Sequence, residues 1–106
     1  MDTVEILEKA RELISDESRW TQGSYAKDEK GEGTLPWREE AVCFCALGAI
    51  KKAGNFHDDC SEPAIFLGRV LRDDMGLHSV DEYNDSHSHA DVLALFDRAI
   101  AAARGS

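Results

Sequence analysis

Basic residues are scarce in this chain: 12 lysines and arginines stand against 21 aspartates and glutamates among 106 residues, a formal net charge of −9. The shortage argues against a nucleic-acid binder, which needs clustered Lys and Arg to displace counterions from phosphates. It argues equally against docking on anionic lipid. Cysteine is sparse too: three residues cannot all pair internally, and two of them lie in the most apolar stretch, which points to a reduced, cytoplasmic protein. No apolar run approaches the ~20 residues a bilayer requires. The N-terminus opens with Asp2 and Glu5 in place of a basic region followed by an apolar one, so no signal peptide is expected. No segment of alternating β-branched residues marks a strand, so essentially no sheet is expected.

The longest uncharged stretch is Ala41-Val42-Cys43-Phe44-Cys45-Ala46-Leu47-Gly48-Ala49-Ile50, in a protein that is 31% charged. Glu39 and Glu40 precede it, and Lys51, Lys52 and Gly54 follow. Acids at the start, bases at the end and a glycine stop predict a buried helix over 38–53. Such a helix must be covered on all sides. Apolar residues at spacings of three and four predict helices over 3–15, 62–75 and 89–104 to cover it. Asp2, Ser61 with Pro63, and the Ser88-x-x-Asp91 pair mark their starts. The expected fold is all-α: a single domain spanning 1–106, a bundle of about four helices around a buried central one, with irregular loops at 16–37 and 77–88. Within the first loop, residues 19–25 should pack on the body through Trp20 and Tyr25, and residues 27–33 should form a mobile tip. Gly48 and Gly68 each cost about 1 kcal/mol against Ala inside a helix, which close backbone approach would offset.

Three kinds of site are conceivable. Cys43, Cys45, Cys60, His57, His78, His87 and His89 have the atom types of zinc ligands. No C-x₂-C or H-x₃-H pair occurs, however, and residues two apart on a helix diverge by about 200°, so no metal and no cofactor is expected. Thiol catalysis would use Cys43 or Cys45 with His89 as base, Asn84 or Asp85 behind it and Gln22 as an oxyanion donor. A helix beginning at Arg38 leaves both cysteines beyond the first turn, and packing accounts for them without further assumptions. The third reading is a surface for a protein partner made by the two loops. Trp20, Gln22, Tyr25, Tyr83, Asn84, Asp85 and His89 supply aromatic anchors and directional hydrogen bonds there. A structural use of the same residues is as physical, with Trp20 and Tyr25 plugging the core and Asn84 and Asp85 forming a turn. On this reading His89→Asn leaves stability nearly intact.

The segments Arg19 to Ala26, Ala41 to Ile50, Tyr83-Asn84-Asp85 and His89 to Ile100 resemble an uncharacterised family of small bacterial and bacteriophage proteins, a domain of unknown function. The resemblance spans most of the chain and implies an intracellular single domain. It brings no activity, substrate or catalytic residue with it. Tyr83 stands where that family leads one to expect Trp. The expectation that results is a small acidic protein-interaction or modulator domain, of the kind a phage uses against a host protein, with a partner that presents a basic surface. The alternative is a cysteine-dependent hydrolase or transferase.

Overall fold

The computed structural model describes residues 2–56, 61–77 and 79–105. Among them are five α-helices: α1 (Thr3–Leu13), α2 (Ala46–Gly54), α3 (Glu62–Met75), α4 (Val80–Ser86) and α5 (His89–Arg104). A 3₁₀ turn at Glu17–Arg19 follows α1, and three two-residue strands, β1 (Ala26–Lys27), β2 (Gly33–Thr34) and β3 (Cys43–Phe44), precede α2. The protein is a mainly helical globule with a small antiparallel sheet of order β2-β1-β3, in which Ala26 faces Thr34 on one side and Phe44 on the other.

Three helix starts follow the capping chemistry of the sequence. The Asp2 side chain accepts from Glu5 N, and Ser88 with Asp91 makes both bonds of a capping box. Ser61 stands at the start of α3 with Pro63 in its first turn, although its hydroxyl makes no cap bond. At the far end Gly76 adopts the left-handed C-cap (φ 70°). The helices enclose one apolar core in which Leu7, Ile14, Phe44, Ile50, Leu67, Leu71, Leu95 and Phe96 are fully buried. α1 lies between α2 and α5, and α3 packs on α5. Arg11 with Asp97, and Arg104 with Glu8, pair the exposed edges of α1 and α5. No helix among the described residues is long and apolar enough to cross a membrane.

The central apolar run is where the structure departs from the expectation of a helix over 38–53. The helix begins at Ala46, and the first part of the run is extended. Its backbone groups are taken by the segment that leads into and forms β1: Val42 N donates to Lys27 O at 2.9 Å, and Cys45 N to Tyr25 O at 3.1 Å. A buried strand and a buried helix are equally apolar, so periodicity cannot separate them when one follows the other without a polar break. Both loops also hold structure. Residues 26–34 form the β1–β2 hairpin, closed by Asp28, whose Oδ1 accepts from Lys30 N and Glu32 N. Residues 80–86 form α4, started by Ser79 accepting from Glu82 N.

Candidate functional site

The two loops meet through one buried side chain. Asn84 on α4 is 1% exposed, and its Oδ1 accepts from Trp20 Nε1 at 2.8 Å and from Ala46 N at 3.0 Å. Its Nδ2 donates to Thr21 O at 3.0 Å and to Asp85 Oδ1 at 3.2 Å. A carboxamide with two donors and two acceptor positions is therefore satisfied at both ends. It ties the 3₁₀ turn, the first turn of α2 and α4 together. Gln22 adds bonds from its Nε2 to Asn84 O and His87 O at the end of α4, and Gly23 N donates to Asp85 Oδ1. Residues 20–23 are thus held against α4 by five hydrogen bonds of these three side chains.

Beside this junction lies a cleft of about 530 Å³, bounded by residues 23–25, by Gly33 to Leu35 and by Asp81 and Asp85 of α4, with Cys45 at its floor. Its size is that of a small-molecule or side-chain pocket. Asp81 and Asp85 are one helical turn apart, so both carboxylates face the same side of α4. Leu35 stands exposed at the rim (37%). Tyr25 is fixed by the ammonium of Lys51, which sits 3.9 Å from its ring centroid.

The remaining candidate residues serve their own surroundings. Cys45 is the N-cap of α2, its Sγ accepting from Gly48 N at 3.3 Å. Burial nonetheless pushes its thiol up to about 11, ahead of the lowering by the Gly48 N–H and with the charges of Asp81 and Asp85 adding to the rise. Cys43 is half-buried in β3, its Sγ 3.9 Å from Lys27 O. The Nε2 of His89 lies 2.6 Å from Ile14 O, the C-cap carbonyl of α1, and its ring packs at 5.5 Å on Trp20. A carbonyl only accepts, so that nitrogen carries the proton and is occupied. Among the described residues no hydrogen bond joins His89 to either cysteine. Tyr83 is buried and stacks at 3.9 Å on His87, whose Nδ1 lies 3.1 Å from Tyr83 O. Desolvation raises the Tyr83 hydroxyl above its ordinary pKa, helped by Asp91 and opposed by Arg98. Of the zinc-type residues, His57, Cys60 and His78 lie outside the described residues, and among the described ones no three His, Cys, Asp or Glu converge on a point that could hold a metal.

A family model matches residues 1–102, and its description is a family of unknown function, DUF6197. The chain belongs to that family. No curated protein and no solved structure matches it. The family brings no residue roles, so the geometry alone must indicate where such a chain acts.

Of the seven residues nominated for a partner surface, Trp20, Gln22, Asn84 and Asp85 are brought together in one hydrogen-bonded junction, and Tyr25 and Asp85 line the cleft next to it. Tyr83 lies buried on α4, and His89 packs on the Trp20 ring while its Nε2 bonds to Ile14 O at the end of α1. Asp81, Ser24 and Leu35 belong to the cleft and escaped sequence reasoning. A signal existed for Asp81: Ser79-x-x-Glu82 is a second capping-box spelling, and it would have placed Asp81 and Asp85 on one helix face.

Proposed function

We propose that the protein is a small acidic interaction module that works in the reducing interior of a cell, and that a partner meets it at the cleft beneath Leu35. The observation that carries this reading is the cleft itself: apolar at the rim and floor, flanked by two carboxylates on α4, and framed by the Asn84 junction. An apolar anchor next to a pair of carboxylates suits a basic side chain carried on an apolar stem, such as Lys or Arg of a protein partner. The net charge of −9 would speed the approach of a basic surface. A phage-type modulator of a host protein fits these properties. Thiol catalysis draws less support, because Cys45 is held as the neutral thiol and the Nε2 of His89 is spent on α1.

Photocrosslinking in cells that make the protein tests the proposal. A benzophenone amino acid in place of Leu35 should trap one discrete partner, identified by mass spectrometry, whereas the same group in place of exposed Ile65 on α3 (50%) should not. Adducts at position 65 with none at 35 would move the interface off the cleft and sink the reading.

A further inference from the structure

On another face, the ends of α1 and α2 and the 3₁₀ turn enclose a cleft of about 590 Å³ in which Lys9, Arg19 and Lys52 converge over an apolar floor of Leu13 and Ala53. Three of the chain's 12 bases gather here around a single lining acid, Glu12. Elsewhere on the helices Arg11 pairs with Asp97, Arg72 with Asp73 and Arg104 with Glu8, whereas Arg69 and Arg98 take part in no ion pair among the described residues. Lys9, Arg19 and Lys52 take part in no ion pair among the described residues. Helix dipoles account for Lys52 in the last turn of α2. They do not account for Lys9, which lies in the body of α1. Asp16 is the further acid nearby: its carboxyl is held below the ordinary value first by the Ser18 hydrogen bonds, and the charges of His89 and Arg19 add to this.

We infer that this cleft is a docking site for an acidic segment of a partner protein, one that sets an apolar side chain on Leu13 and Ala53 and its carboxylates against Lys9, Arg19 and Lys52. Charge complementarity selects the occupant. Three cations on one rim suit a few carboxylates, while a continuous polyanion such as nucleic acid would run past them into the field of a chain with net charge −9. The apolar floor asks for more than a bare anion, because exposed ion pairs alone contribute little. The inference is independent of the cleft beneath Leu35.

Nuclear magnetic resonance on the ¹⁵N-labelled protein tests it with a capped pentapeptide, Glu-Asp-Leu-Asp-Glu, at low salt. The expected result is a set of amide shifts confined to residues 9–19 and 51–54. The apparent affinity should fall at least tenfold in 0.5 M NaCl, where salt shortens the Debye length to about 4 Å. It should fall at least tenfold again with the neutral peptide Gln-Asn-Leu-Asn-Gln, and severalfold with Glu-Asp-Ser-Asp-Glu. Lys9→Glu with Lys52→Glu should remove the shifts while the rest of the spectrum stays native, and Lys9→Gln with Lys52→Gln replaces that pair if the charge reversal unfolds the chain. Shifts that are absent, lie elsewhere or survive both double variants overturn the inference. So do equal shifts with succinate, which would make this a small-dicarboxylate site, the same shifts on raising protein concentration alone, which would make the occupant a second copy, and tighter binding of an oligothymidylate.

Discussion

A Cβ added at Gly48 would fall 1.8 Å from the carbonyl oxygen of Tyr25 and 2.8 Å from its carbonyl carbon. The first turn of α2 therefore presses on the backbone that enters β1. That carbonyl cannot easily retreat, because it also accepts from Cys45 N. Gly68 is different: a Cβ there would meet only Val80 Cγ2, at 3.8 Å. Gly48→Ala should lose about 2–3 kcal/mol by overpacking in spite of the better helix former, and Gly68→Ala should be neutral or up to about 1 kcal/mol more stable. Urea midpoints of the two variants check the contrast, and equal midpoints would show that the Tyr25 backbone moves aside.

Asn84→Ala should cost about 3 kcal/mol, because it strands the Trp20 indole N–H, the Ala46 N–H and the Thr21 carbonyl together at a buried junction. Asn84→Asp keeps the acceptor for Trp20 and Ala46 but loses the donors to Thr21 and sets a second carboxylate against Asp85. It should fall between wild type and Asn84→Ala. Tryptophan emission should shift to longer wavelength in the Ala variant as the Trp20 turn comes off α4, and an unshifted spectrum with an unchanged midpoint would deny the junction its structural part.

The helices at the two ends of the chain were legible because their caps and their apolar spacing agree. The ranges 62–75 and 89–104 coincide with α3 and α5, and 3–15 overruns α1 by two residues. The centre was not legible for a physical reason. Between Ala41 and Ile50 no polar residue records which backbone groups bond to a neighbouring strand and which to the helix, and the cap is Cys45, a residue outside the usual capping set. α4 went unread because seven residues give fewer than two turns of periodicity. The candidate site was half visible: aromatics and amides in polar loops marked Trp20, Gln22 and Asn84, yet nothing in the order of residues says that Asn84 caps α2 from α4. Lys9 and Lys52, 43 positions apart, meet only through the packing of α1 on α2.

Cys45 should make the protein lose stability in alkali. Its thiol is raised to about 11 from an unfolded value of 9.0. Below pH 9 both states hold the proton and the neutral thiol contributes in full. Between pH 9 and 11 the unfolded thiol ionises first, so up to about 3 kcal/mol is lost as pH rises. Tyr83, raised for the same reason of burial, acts in the same direction at higher pH. Cys45→Ser keeps an oxygen to accept from Gly48 N and has no proton to lose in this range, so its urea midpoint should fall less between pH 8 and pH 10.5 than that of wild type. Parallel decline in the two proteins would assign the alkaline loss to other groups. Alkylation at pH 7.5 should label Cys43 well before Cys45.

His89 gives the sharpest test of how the end of α1 is held, and the geometry corrects the expectation that His89→Asn is nearly neutral. The Nε2–H donates to Ile14 O, the carbonyl that the last turn of α1 leaves unpaired, while the ring covers Trp20. Asparagine is too short to reach that carbonyl from the first turn of α5. Glutamine places its amide nitrogen close to where the imidazole Nε2 stood. His89→Asn should therefore cost about 1–2 kcal/mol, the sum of one part-buried hydrogen bond and a ring contact. His89→Gln should recover the hydrogen-bond share and leave only the ring contact missing. Both should perturb Trp20 fluorescence alike, since both remove the ring. Equal midpoints for the two variants would mean that the bond to Ile14 adds nothing and that the imidazole acts on Trp20 alone.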